Sequence, residues 1–325
     1  AIEAVFEDMD LKKRIIRDLD RVAPAHAVLA SNTSTLSITE LAEETKRPTQ
    51  VVGLHFFSPA HIMRLLEIVR GEKTSNQTLV TSLEVARKLR KIGVVSGDAF
   101  GFIGNKMMLD GYFREAEHML LEGVSAARID AVAEAFGFAM GPHRVNDMAG
   151  VDVGTKVRQE LAKKEDRPDP YFVVSDALTP LGKIGQKSGE GIYLYKAGDR
   201  TAYPNPATEA LIAKLAAERN IAPRDISDAE IEERCILPLI NIGAQLLDDG
   251  VAYRAKDIDV VWTAGYGFPR HLGGPMFYAD TLGLKAVLQR IEHYHARYGH
   301  YWKPSPLLVK LANEGGSFAD YDARG

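Results

Sequence analysis

At 325 residues the chain is long enough for two or three compact units, each with its own buried core. Hydrophobic residues make up 46% and charged residues 26%, ordinary globular values that leave little room for long disorder, and a formal net charge of −4 offers no broad positive field for a nucleic acid. The single cysteine, Cys235, excludes an internal disulfide, and no apolar run approaches the ~20 residues of a membrane span.

In chain order, the first hundred residues alternate short apolar, β-branched runs with helical periodicity, the pattern of α/β units around a parallel sheet. Ala1–Phe6, Ala27–Ser31, Val51–Phe57, Leu65–Val69 and Ile92–Ser96 are the predicted strands. Because the first residue is not a methionine and Ala1–Phe6 already reads as a strand, the chain is expected to begin in mid-domain. Between the first two strands, Leu11, Ile15, Leu19 and Val22 recur at helical spacing, with Asp10 placed to cap the segment and Pro24 to stop it. Ser37 and Glu40 have the spacing of a capping box and open a second helix over Leu41–Glu44. Leu79, Leu83, Ala86 and Leu89 mark a third, expected to close at Gly93.

Beyond Gly97, long helical patterns replace strands, and Gly191–Tyr195 is the one later strand-like run. Ala197–Pro206, rich in small and polar residues, reads as a linker. The halves on either side of it resemble each other. Glu122-Gly123-Val124, Ile129-Asp130, Phe136-Gly137-Phe138 and Gly141-Pro142 recur as Asp249-Gly250-Val251, Ile258-Asp259, Tyr266-Gly267-Phe268 and Gly274-Pro275. Four matched blocks in the same order indicate an internal duplication. Site residues are expected in the first copy only.

The segment Gly53-Leu-His-Phe-Phe-Ser-Pro-Ala-His-Ile-Met-Arg-Leu-Leu-Glu67 carries the strongest chemical signal. His55 ends one apolar strand and Glu67 lies in the next, so a tight turn at Ser58-Pro59 brings the two together. A carboxylate beside an imidazole fixes its tautomer and stabilises the imidazolium formed when the ring takes a proton, which makes the pair a base with its orienter. The plainer alternative is a partly buried histidine satisfied by an acid. Ser31-Asn32-Thr33-Ser34 follows a strand and Asn105 lies near the start of a helix, at the end of the sheet where α/β folds present ligand groups. Each of these residues also serves as an ordinary cap or turn residue. His293 and His295 are two apart and share no helix face, and Cys235 has no partner spacing, so no metal site is expected.

Ser31–Ser34, His-Phe-Phe-Ser-Pro-Ala-His at His55–His61, Gly137-Phe-Ala-Met-Gly-Pro142 and Gly185-Gln-Lys-Ser-Gly-Glu-Gly191-Ile-Tyr together resemble the 3-hydroxyacyl-CoA dehydrogenase family, over essentially the whole chain. Gly265-Tyr-Gly-Phe-Pro-Arg-His-Leu-Gly-Gly-Pro-Met276 resembles the form fused to an enoyl-CoA hydratase in multifunctional fatty-acid β-oxidation enzymes. The resemblance implies His55 as general base and Glu67 as its partner, Ser34 and Asn105 as ligands of the substrate's reacting oxygens, and Glu7, Lys12 and Asn32 as contacts of NAD. The implied reaction turns a (3S)-hydroxyacyl-CoA into a 3-ketoacyl-CoA with NAD as hydride acceptor.

The implied fold is α/β plus all-α. An incomplete Rossmann-type sheet over residues 1–98 is followed by two related helical domains, residues 99–197 and 206–325. The family opens with a strand, a G-x-G-x-x-G turn and a helix that receives the pyrophosphate, and this sequence contains no G-x-G-x-x-G. The expectation is therefore a chain whose preceding part belongs to the same parent, with or without a hydratase domain, and which binds NAD weakly and is inactive alone. A second reading, from another class, makes it a non-catalytic helical assembly or dimerisation unit that keeps the dehydrogenase shape. The terminal Asp322-Ala-Arg-Gly325 is not a Ser-Lys-Leu signal, which favours a bacterial cytoplasm over a peroxisome.

Overall fold

Alternate residues of the strands belong to two different cores, so the sheet needs helices on both faces. The computed structural model of the chain describes residues 1–162 and 172–324. Residues 163–171, inside the expected first helical domain, and the terminal Gly325 lie outside the described residues.

The sheet is built in chain order from β1 (Ile2–Glu3), α1 (Met9–Val22), β2 (Leu29–Ser31), α2 (Ile38–Ala42), β3 (Val51–Phe56), β4 (Leu65–Arg70), α3 (Asn76–Lys88) and β5 (Ile92–Gly97). Its strands lie side by side as β1-β2-β3-β4-β5. All neighbours are parallel except β3 and β4, which are antiparallel, so the all-parallel expectation is corrected at one pair. Val51 and Val69 pack with Ile16, Ile38 and Phe102 on one face, while Val52, Leu54, Leu66 and Ile68 pack with Leu79 and Ala86 on the other.

Local chemistry moves several boundaries. Asp8, not Asp10, caps α1, its carboxylate accepting the Leu11 N–H at 2.7 Å. The first strand stops at Glu3, whose carboxylate accepts the Val5 N–H at 3.0 Å and turns the backbone out of the ladder. Ser37 caps α2 through the Glu40 N–H, as the capping box predicts. The third helix ends at Lys88 with Leu89 as its C-cap, and Gly93 sits within β5, where a Cβ would stand 3.1 Å from that of Ala86. Gly191–Tyr195 forms isolated bridges instead of a strand, because the Ile192 and Tyr193 amides donate to Asp147, both at 2.9 Å.

After β5, α4 (Gly104–Met107) runs through a π-helical segment (Met108–Phe113) into α5 (Arg114–Leu121). There follow α6 (Ala126–Phe136), α7 (Pro142–Ala149), α8 (Val151–Ala162), α9 (Val173–Leu178), α10 (Pro206–Glu218), α11 (Asp228–Asp248), α12 (Ala255–Gly265), α13 (Pro275–Leu282), α14 (Leu284–Tyr298), α15 (Pro306–Glu314) and α16 (Phe318–Arg324). Among the described residues no helix is long and apolar enough to cross a membrane.

Packing divides the chain into two compact units, one of residues 1–107 with 240–325 and one of residues 108–239. In the first, α12 packs on β4, β5 and α4. The Gly97 N–H donates to the Val251 carbonyl at 2.7 Å, and the buried Trp262 indole donates to the Met107 sulfur at 3.1 Å. In the second, the fully buried Arg234 guanidinium pairs with Glu115 at 2.9 Å and with Glu122, and Arg224 holds the other oxygen of Glu122 at 2.7 Å.

The duplication has a physical content that sequence blocks alone do not reveal. Asp130 accepts the His143 and Arg144 amides at the start of α7, at 2.8 and 3.2 Å. Asp259 does the same for Met276 and Phe277 at the start of α13, at 2.8 and 3.2 Å. In both copies the Gly-Pro glycine lies against that aspartate, since a Cβ on Gly141 would fall 2.3 Å from the Asp130 Cα and one on Gly274 2.6 Å from the Asp259 Cα. The first matched aspartate and the glycine are thus one device, an anchored helix N-terminus with no room for a side chain.

Candidate active site

The β3–β4 register sets His55 directly opposite Glu67. Opposed residues of an antiparallel pair share one face, so the ladder itself brings the two side chains together. The Ser58-Pro59 turn expected to do this is only part of a longer connection over residues 57–64. His55 Nδ1 lies 2.8 Å from Glu67 Oε2. Glu67 is 0% exposed and must spend both oxygens inside the protein; its Oε1 accepts the Gly104 N–H at 3.1 Å, at the start of α4.

That geometry assigns the tautomer. An ionised carboxylate only accepts, so Nδ1 carries the proton and Nε2 keeps a lone pair. Nε2 has no protein partner among the described residues. Phe57 and Phe102 both lie against the ring, with centroids at 4.4 and 5.9 Å.

Asn105 is tied to the loop after β2, its Nδ2 donating to the Ser34 carbonyl at 3.0 Å. The Ser34 hydroxyl has no protein partner among the described residues, while its N–H donates to Glu7 at 2.8 Å. Glu7 Oε1 also accepts the Thr33 hydroxyl at 2.6 Å and the Thr35 N–H at 3.0 Å, so it pins this loop. Lys12 is fully buried with its ammonium 3.0 Å from Glu3 and 3.7 Å from Glu7. Asn32 accepts the Phe56 N–H at 2.9 Å through its side-chain oxygen, which leaves the amide NH2 unspent. His55, Glu67, Asn105, Ser34, Glu7 and Lys12 therefore lie on one connected path of polar contacts and adjacent residues, at the carboxyl ends of β2 and β3.

These residues fit a nicotinamide site in part. Asn32 and Ser34 offer unspent donors where an α/β sheet binds its ligand, and Glu7 shapes the loop that carries them. Lys12 braces Glu3 and Glu7 from inside and presents no open face. Among the described residues no group of three or more His, Cys, Asp or Glu is placed to hold a metal ion. His143, which the sequence leaves without a role, is a buried imidazole that burial pushes down to about 3, and it belongs to the other compact unit.

Two site residues escape sequence reasoning. Gly104 presents the amide that Glu67 needs, and Tyr266 donates its hydroxyl to Asn105 Oδ1 at 2.7 Å. Tyr266 comes from the second copy, so the structure brings a side chain of that copy onto Asn105, where site residues were expected from the first copy only. The available signal lay in the duplicated blocks, where Phe136 of the first copy is matched by Tyr266 in the second, a ring with a hydroxyl added.

The class the structure defines is a two-sided α/β sheet of nucleotide-binding type whose ligand end presents a histidine–carboxylate pair beside amide and hydroxyl donors, a candidate acid–base site. The family model for the 3-hydroxyacyl-CoA dehydrogenase NAD binding domain matches residues 1–99, and that for the 3-hydroxyacyl-CoA dehydrogenase C-terminal domain matches residues 101–195 and 231–318. The chain belongs to the 3-hydroxyacyl-CoA dehydrogenase family.

It is similar to the peroxisomal bifunctional enzyme of Danio rerio, at 44% identity over 97% of this chain and 46% of that protein. It is also similar to the fatty acid oxidation complex subunit alpha of Shewanella sp. strain ANA-3, at 36% identity over 98% of this chain and 44% of that protein. The chain thus spans less than half the length of these curated relatives. Its structure resembles that of 3-hydroxybutyryl-CoA dehydrogenase from Escherichia coli K12, with a TM-score of 0.80 and 25% identity, covering 98% of this chain and 82% of that one.

Proposed function

We propose that this chain carries the catalytic acid–base residues of an NAD-dependent oxidation of (3S)-hydroxyacyl-CoA to 3-ketoacyl-CoA in fatty-acid β-oxidation. The observation that carries the reading is the buried His55–Glu67 pair with Nε2 left open, coupled through Gly104 and Asn105 to Ser34. Bound NAD supplies the acceptor for the hydride that leaves C3. His55 Nε2 takes the proton of the 3-hydroxyl as the C3=O bond forms, and Glu67 stabilises the imidazolium that results. The second N–H of Asn105 and the Ser34 hydroxyl donate to the substrate's oxygens, where charge gathers as the ketone forms. Asn32 and Glu7 shape the nicotinamide side, with Lys12 bracing Glu7.

The family domains and the fatty acid oxidation relatives support this activity, and the longer relatives support a parent with a further part; that this part is an enoyl-CoA hydratase domain rests on the resemblance of Gly265–Met276 alone. The Shewanella relative supports a bacterial cytoplasm, and the relative of higher identity is peroxisomal by name, which makes the peroxisome the alternative compartment. We carry forward the sequence division into residues 1–98, 99–197 and 206–325 as three evolutionary domains. The test is NADH oxidation with acetoacetyl-CoA, followed by absorbance, for this chain and for the longer protein that contains it. Turnover lost on His55→Ala supports the reading. A longer protein that folds, binds acetoacetyl-CoA and does not turn over favours the non-catalytic assembly unit instead.

A further inference from the structure

We infer that Tyr266 is a positioning residue for Asn105: its hydroxyl, supplied by the second helical copy, orients and polarises the carboxamide that faces the reacting oxygens. The inference rests on the dehydrogenase reading above for its effect on turnover, but not for its geometry.

The direction of the bond follows from its partners. The Ser34 carbonyl can only accept, so it must face Asn105 Nδ2, and Oδ1 is thereby turned to Tyr266. The hydroxyl must then donate. Burial, and after it the Glu67 charge, pushes the Tyr266 phenol well above its usual range, so it stays protonated as that donor requires. A hydrogen bond received by an amide oxygen draws electron density toward it and makes the amide N–H a stronger donor. One N–H of Asn105 is spent on Ser34, and the other is the one so strengthened.

The surroundings fix the ring that carries this hydroxyl. The Tyr266 ring stacks on Trp262 at 5.0 Å between centroids and meets Phe57 edge-on at 5.3 Å; Phe57 in turn covers His55. Gly104 is pressed so close that a Cβ would lie 2.1 Å from the Tyr266 ring. Phe136, which occupies the matching place in the first copy, has no hydroxyl to give. The duplicated half therefore contributes to the site with the one atom by which it differs at this position.

Tyr266→Phe keeps the ring and removes only the hydroxyl. In the chain labelled with 15N-asparagine, the side-chain amide resonances of Asn105, identified by their loss in Asn105→Ala, are expected to shift in Tyr266→Phe while the melting temperature stays close to that of the unaltered chain. Unmoved Asn105 resonances overturn the inference whatever the activity. In the longer, active protein the same change is expected to lower kcat about three- to tenfold, the worth of one ordinary hydrogen bond, with KM nearly constant. In an Asn105→Ala background it is expected to have no further effect on kcat, whereas a merely structural Tyr266 would lower activity equally in both backgrounds. A protein that shows no turnover at all defeats the proposed function and leaves the resonance shift to decide the role of Tyr266.

Discussion

His55 depends on Glu67 for its tautomer, and each oxygen of Glu67 has a separate task, one on the imidazole and one on the Gly104 amide. In Glu67→Gln the new NH2 group can turn to Nδ1 and favour the tautomer that puts the proton on Nε2, where a base must be open. We expect turnover to fall by roughly 10²–10⁴ with little change in KM, the loss typical of removed acid–base assistance, as measured by steady-state NADH absorbance. Gly104 is the other sensitive position. In Gly104→Ala the added methyl group meets a Tyr266 ring backed by Trp262, so a side chain must shift and the Asn105 contact must break. Overpacking of this kind costs about 1–3 kcal/mol, to be read as a lower urea midpoint, and activity should fall more than in Tyr266→Phe. An unaltered midpoint would show that the ring has free space which the packed geometry denies it.

Among the helices, the anchoring aspartates couple stability to pH. Burial pushes Asp130 up to about 7, against the hydrogen bonds from Tyr193, His143 and Arg144, which favour its charged form. Its folded value thus exceeds the unfolded one of 3.8. The native state holds the proton more tightly, so this contribution is complete below the unfolded value and is lost as pH rises through about 7. Asp259 is also pushed up to about 7 by burial and acts in the same sense at α13. Urea unfolding between pH 4.5 and 7.5 should show stability falling with pH, and Asp130→Asn should flatten that slope. A slope unchanged in the variant would assign the pH dependence to other groups. The helices themselves follow from local signals such as the Ser37–Glu40 box. The tasks of Asp130 and Asp259 do not, because a carboxylate that anchors a helix twelve or more residues ahead has no local pattern.

For the whole molecule, residues 240–325 complete the unit that holds the sheet, although they lie more than a hundred residues after β5. Ending the chain after residue 230 removes α12 from β4, β5 and α4, takes Val251 from Gly97 and Trp262 from Met107, and bares Leu65, which Gly265 now covers. Such a shortened chain is expected to lose its cooperative melting transition by circular dichroism and to bind a dye that reports exposed apolar surface. A sharp transition at the original temperature would mean that the sheet and the first helical copy stand without the second.

Strand order of appearance, the capping of α2, the duplication and the pairing of His55 with Glu67 are all legible in the sequence, because each rests on short-range periodicity or on two residues a strand apart. The same reading picks out His55 and Glu67 as the candidate base and orienter, through the residue pattern between Gly53 and Glu67. What the sequence by itself leaves open is contact between residues far apart in the chain. Only the tertiary structure brings Tyr266 onto Asn105, 161 residues away, and turns the β3–β4 pair antiparallel so that opposition instead of a turn joins the dyad. The reason is physical: periodicity reports which face of an element is buried, while the partner that covers that face is chosen by shape and hydrogen-bond complementarity across the folded chain.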